Sequence, residues 1–172
     1  MGLKSFIINQ CQTKTKVVKA KSELSLFQVS EITVSYYSKF KACDRPKVSS
    51  SAEAYEILYN NWDLGKSQHQ EQFKTLMLNN ANRVIGISEI AAGGLAGVLA
   101  DPKIIFSTAL KANTCCLILA HNHPSGNLKP SEADIRITRK LVEGGKFLDL
   151  PVVDHLILTN DGYYSFGDEA LI

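Results

Sequence analysis

With 172 residues, 45% hydrophobic and 21% charged, the chain has the size of one ordinary domain and the composition of a soluble globular protein. No apolar run approaches the ~20 residues that span a bilayer, and residues 1–10 hold no apolar core of a secretory leader. A net charge of +2 is too small to argue for nucleic acid, and four cysteines, two of them adjacent at Cys115 and Cys116, make neither a disulfide framework nor a Cys-x-x-Cys zinc clamp. The expected compartment is the reducing cytoplasm.

Taken in order, residues 1–48 are expected to form an N-terminal basic segment with strand, packed on a main domain over 49–172. Lys4, Lys14, Lys16, Lys19 and Lys21 all precede the first acid, Glu23; such an arm offers weak contact to phosphates or is simply a solvated surface. Val29 to Tyr37 is β-branched and aromatic and reads as a strand, which Asp44-Arg45-Pro46 breaks. Ser49-Ser50-Ser51 offers N-caps for a helix to about Trp62, with Ala54, Ile57, Leu58 and Trp62 at helical spacing. Trp62 reads as a packing anchor.

Gly65 to Gln70 is a polar link. A strand from Glu71 to Leu78 follows, turned by Asn79-Asn80-Ala81-Asn82 into a hairpin partner from Arg83 to Ile90. Ala91 to Gly97 is a small-residue connection without the Gly-Lys-Ser/Thr ending of a phosphate-cradling loop. Asp101-Pro102 starts a helix that Asn113 ends. Thr114 to Ala120 has the length and apolarity of a fully buried strand, so His121 and His123 emerge where it ends. A helix from Ser131 to about Lys146 is expected to stop at Gly144-Gly145. Pro151 to Leu158 reads as another buried strand, and Thr159-Asn160-Asp161-Gly162 turns it into Tyr163 to Phe166.

The chemistry concentrates at His121-Asn122-His123-Pro124-Ser125-Gly126 and Ser131-Glu132-Ala133-Asp134. In extended chain, residues two apart point the same way, so His121 and His123 reach one ion while Asn122 points elsewhere. Ser-x-x-Asp is also a helix-start signature. Asp134 nevertheless shares a helical stripe with Ile137, Thr138 and Leu141, the inward side. Ser131 can accept a capping bond and still donate its O–H to a substrate. Two imidazoles and a carboxylate, with a fourth position left for water, are the donor set of a hydrolytic zinc centre.

His-x-His-Pro, a short loop and Ser-x-x-Asp resemble the JAMM (MPN+) metalloprotease motif. The fuller His-Asn-His-Pro-Ser-Gly-x3-Pro-Ser-x2-Asp is similar to the bacterial RadC branch, as is Asp154-His155-Leu156-Ile157. The resemblance runs from about Glu71 to Phe166. It implies an α/β protein whose mixed β-sheet is sandwiched by helices, the JAMM/MPN (cytidine-deaminase-like) fold, which the order of helices and hairpins also suggests. It implies Zn²⁺ on His121, His123 and Asp134, a catalytic glutamate at a strand start, and peptide or isopeptide substrates. Glu71 matches that glutamate, and Glu89, on the face of Ile85 and Ile87, is its rival. Ser131 is expected to donate to the developing oxyanion. His155 is either a hydrogen-bonded core histidine or a group that supports a metal ligand.

The alternative function is a DNA-associated accessory protein, as the family's historical repair name suggests. The chain is expected to lack the helix-hairpin-helix segment that longer relatives carry upstream, which weighs against it. A zinc nucleoside deaminase shares the fold but needs His-x-Glu and Pro-Cys-x-x-Cys; position 123 is His, and Cys115 and Cys116 are adjacent. Three consecutive letters His-Asn-His are likewise no nuclease motif, whose residues are dispersed over a longer hairpin and helix.

Overall fold

A computed structural model describes residues 40–93 and 100–172. The basic arm and the strand expected over Val29 to Tyr37 lie outside the described residues, as does most of the small-residue connection after Ala92.

The main domain begins with helix α1, Ser51–Asn60, capped by Ser50, whose side chain accepts from the Glu53 N–H. Its apolar positions Ala54 and Leu58 are buried, and Trp62 packs with them at 7% exposure. The link expected to be plain loop contains one helical turn, α2, Leu64–Ser67. Asp63 makes that turn by accepting from Gly65 N–H, a local cap the polar composition concealed.

Strands β1 (Gln72–Leu78) and β2 (Val84–Ala92) form the hairpin. Asn79 fixes its turn by accepting from the N–H groups of Ala81 and Arg83. Helix α3, Pro102–Lys111, starts on Asp101 with proline in its first turn, as the Asp-Pro pair predicts, and Asn113 ends it with φ 55°. Strand β3 covers Cys116–Asn122, helix α4 Glu132–Phe147, strand β4 Val152–Thr159 and strand β5 Gly162–Ser165.

The five strands lie in the order β2-β1-β3-β4-β5, with β3 and β4 parallel and every other pair antiparallel. The parallel pair is joined through α4, since parallel neighbours need a crossover. Helices cover both faces. Leu76, Leu78, Ile118, Ala120, Leu156 and Leu158 pack with α1, while Phe73, Met77, Leu117 and Leu119 pack with α3 and α4 through Ile105, Ala109 and Leu141. Buried on both sides, β3 is apolar without alternation, and each fully buried Leu or Ile in these layers contributes about 1.5–3 kcal/mol.

Two expectations need correction. β3 reaches Asn122, so His121 lies inside the strand rather than past its end. Its pairing with Phe73 on one side and Ile157 on the other holds it in the sheet. Helix α4 runs through Gly144-Gly145 to Phe147. These glycines serve close packing: a Cβ on Gly145 would stand 2.4 Å from the Leu150 carbonyl oxygen, and one on Gly144 3.1 Å from the Phe106 ring. The turn after the helix is made instead at Asp149, φ 50°.

Candidate metal centre

The alternation of β3 puts Leu117, Leu119 and His121 on the face covered by α3 and α4. His121 is 1% exposed there, its ring parallel to Phe73 with centroids 6.1 Å apart. His123 lies one residue beyond the strand and keeps its direction by donating its N–H to the Leu158 carbonyl, 3.0 Å. The chain then folds back through Pro124 to Gly126. Gly126 sits at φ 77°, a backbone region open to glycine, and this return brings the Asn127 carbonyl onto His123 Nδ1.

Asp134 comes from the first turn of α4, where both readings of Ser-x-x-Asp are realised at once. Its N–H donates to Ser131 Oγ at 3.2 Å, and its Oδ2 accepts from the Ser131 N–H at 2.7 Å, a complete capping box. The same carboxylate faces the histidines, Oδ1 at 3.3 Å from His121 Nε2 and Oδ2 at 3.7 Å from His123 Nε2. Glu71, just before β1, closes the group with Oε1 at 4.0 Å from His121 Nε2. One donor atom from each of the four residues lies within 4.8 Å of all the others.

Hydrogen bonds behind the ligands decide what this group can bind. Thr138 Oγ1 donates to the Asp134 carbonyl and therefore accepts from His155 Nδ1–H, each at 2.6 Å. His155 Nε2 is then the acceptor for His121 Nδ1–H at 2.8 Å. His123 Nδ1–H donates to Asn127. Both histidines thus spend their Nδ1 protons outward, and their bare Nε2 atoms face each other 3.0 Å apart with two carboxylates beside them. Acceptors so arranged repel unless a cation or proton sits among them. Donors ~2.0–2.1 Å from a tetrahedral zinc stand ~3.3 Å apart, close to the separations seen between His121, His123 and Asp134. The donor set fits Zn²⁺.

The electrostatics agree. Burial lowers the His121 pKa to about 4, against the opposing pull of Asp134 and with a push from His123, so its imidazole is neutral. Burial likewise holds His155 well below the ordinary histidine value. His123 is raised, first by the Asp134 carboxylate 3.7 Å away, which favours its protonated form, and against burial. Burial pushes Asp134 up, but the neighbouring His123 and His121 and the bond from Ser131 outweigh it and keep the group an anion. Glu71 is raised, chiefly by burial and further by Asp134, with His123 opposing.

His121, His123, Asp134 and Glu71 are therefore brought together; Glu89 is not. It sits midway along the hairpin, 3.7 Å from Lys74 Nζ and 2.9 Å from Gln72 Nε2. Ser131 is exposed at the helix start, its hydroxyl oxygen occupied as acceptor and its O–H available to donate. His155 is fully buried and hydrogen-bonded to His121, as a core histidine and as a group behind the candidate centre alike would be. Thr138 and Asn122 escaped the sequence reading as site residues. A hydroxyl four residues after Asp134 was the signal for Thr138; Asn122 gave none beyond its place between the histidines. Trp62 is a core residue with Lys74 Nζ 4.5 Å from its ring centroid, and it also lines a cavity of about 320 Å³ beside His123.

A family model described as the RadC-like JAB domain matches residues 48–171. A UPF0758 protein of Flavobacterium johnsoniae is 43% identical over 125 residues, which are 73% of this chain and 53% of the relative. Similar proteins of that name occur in Methanosarcina mazei, 36% identical over 73% of this chain and 54% of the relative, and in Thermosynechococcus vestitus, 38% identical over 73% and 47%. The chain spans about half the length of these curated relatives. No helix among the described residues is long and apolar enough to cross a membrane. With the mixed sheet between helices and the His-x-His and Ser-x-x-Asp segments converging on one point, the chain belongs to the RadC-like JAB domain family.

Proposed function

We propose that the domain is a zinc-dependent hydrolase of the JAMM type that cleaves a peptide or isopeptide bond. The observation that carries this reading is the convergence of His121, His123, Asp134 and Glu71, with the Nε2 lone pairs of both histidines directed inward. Three of these residues suffice to hold the ion and leave a coordination position open, as hydrolytic sites require. When bound, zinc supplies Lewis acidity, lowering the pKa of water toward ~7 and polarising a carbonyl.

The protein groups divide the remaining work. Glu71, raised by its partial burial, accepts a proton from the attacking water and returns it to the leaving nitrogen, so that amide and water become carboxylic acid and amine. Ser131 directs its O–H to the carbonyl oxygen as negative charge develops there. His155 and Thr138 hold the His121 ring and its tautomer. The cavity beside His123, with Trp62, Leu64 and Pro124 in its wall, offers an apolar surface for a substrate side chain.

Native protein is expected to hold about one zinc per chain and to hydrolyse members of peptide or isopeptide libraries, with activity lost to a chelator and restored by Zn²⁺. A protein with its site filled that cleaves no amide in such a screen overturns the reading.

A further inference from the structure

We infer that Asn122, between the two histidines of the motif, is a positioning residue for Glu71. This deepens the proposed hydrolytic reading and rests on it. Asn122 is 3% exposed and points to the sheet face opposite His121, away from the metal centre. All three of its side-chain bonds nevertheless go to the short segment that carries Glu71. Oδ1 accepts from the Gln72 N–H at 2.7 Å, and Nδ2 donates to the carbonyls of Gln70 at 3.0 Å and Ser67 at 2.7 Å. The two carbonyls and the one N–H leave no ambiguity about which end is the amide nitrogen.

The sheet explains the need. Pairing between β1 and β3 begins at Phe73 opposite His121, two residues short of the point where Glu71 would face His123. Glu71 lies beyond the β1–β3 ladder, and on its other side β2 pairs as far as Gln72 opposite Ala92, so β3 holds Glu71 by no backbone pair of its own. The Asn122 side chain takes over there, holding the residue on each side of Glu71, while the Gly93 N–H holds the Glu71 carbonyl at 2.8 Å. The strand end that presents His121 and His123 through its odd positions thereby fixes the base through the even position between them. Aspartate in place of asparagine would keep the acceptor and lose both donated bonds; alanine would lose all three.

The experiment combines amide exchange with a double-mutant cycle on the full chain loaded with Zn²⁺. Asn122→Ala is expected to keep zinc and to lose exchange protection at the Gln72 amide, with protection at Leu76 and Leu119 retained. On a fluorogenic peptide or isopeptide taken from the library screen, kcat should fall ~10–100-fold with little change in KM, the scale of an ångström's misplacement of a reacting group. In a Glu71→Gln background the same substitution should have almost no further effect, because the group it positions no longer carries a proton. A merely structural role would instead reduce both backgrounds by one factor, and that multiplicative result overturns the inference, as does an unaltered Gln72 amide. Asn122→Asp, expected to fall between, gives the same cycle if the alanine variant does not fold. A Glu71→Gln variant with full turnover would refute the base assignment on which the inference rests, and a zinc-loaded protein that cleaves no member of the library would refute the hydrolytic reading itself; each result is distinct from the others.

Discussion

The two faces of β3 perform different tasks with the same strand. On the side of α3 and α4, Leu117 and Leu119 lead to His121, whose ring meets polar partners from three other elements: His155 of β4, Asp134 of α4 and Glu71 before β1. On the side of α1, Ile118 and Ala120 lead to Asn122, whose partners among the described residues are backbone groups alone. One face gathers the four side chains of the candidate metal centre, and the other ties down the chain that delivers one of them. The difference teaches that a buried polar residue is defined by its partners: side-chain partners with free lone pairs make a ligand site, backbone partners a clamp.

The largest effect that tests this division is loss of the metal. His123→Ala removes one of three protein ligands and is expected to empty the site, as elemental analysis of the purified variant would show; unchanged zinc content would refute the ligand assignment. Next comes Glu71→Gln, which keeps size and all three ligands. Zinc should stay while turnover falls ~10²–10⁴-fold, the range of general acid–base catalysis. Glu89→Gln, on the same hairpin but engaged with Lys74 and Gln72, should be nearly silent. The reverse pattern would move the base to Glu89.

Behind the ligands, Thr138→Val removes the acceptor of His155 Nδ1–H and should weaken zinc affinity ~10–100-fold, the cost of losing a group that orients a ligand. Chelator competition measures this, and affinity equal to that of the parent would show that the chain from Thr138 to His121 has no hold on the metal. The pH dependence of the same affinity has a definite sign. His123 binds the ion only when neutral, and the Asp134 carboxylate beside it raises its pKa, so proton and metal compete for Nε2 above the pH expected of a free histidine. Affinity should fall on the order of tenfold per pH unit below that raised pKa and level off above it. A flat profile through the neutral range would exclude His123 as a ligand.

Much of this was legible in the sequence. The period-two spacing of His121 and His123 and the inward stripe of Asp134 foretold that the three side chains converge, and capping chemistry at Ser50, Asp101 and Ser131 specified three helix starts. What escaped depends on pairing between distant segments. Thr138 and His155 acquire their roles only when α4 and β4 dock side by side, and Asn122 only when β1 lies beside β3. Gly144-Gly145 misled because the same residue that ends a helix also admits close packing within one, and local sequence does not distinguish the two.

Those glycines supply the smallest expected effect on the site and a way to sharpen the account of the face that carries it. Helix α4 brings Asp134 to the candidate metal centre, and at its other end it must approach the chain entering β4 closely. Gly145 allows that approach. Its carbonyl accepts from the Leu150 N–H at 2.9 Å, and a Cβ there would press on the Leu150 carbonyl, backbone that has nowhere to swing. Gly144 faces only the Phe106 ring, which can turn aside, and alanine regains up to ~1 kcal/mol of helix propensity. Gly145→Ala should therefore cost about 1–3 kcal/mol, as overpacked sites do, while Gly144→Ala should be neutral or slightly stabilising. Urea unfolding of the zinc-free variants reads both, as midpoint shifts at constant slope. Equal costs at the two positions would mean that helix continuity, rather than the approach to Leu150, decides the glycines, and α4 would then owe its seat to its apolar stripe alone.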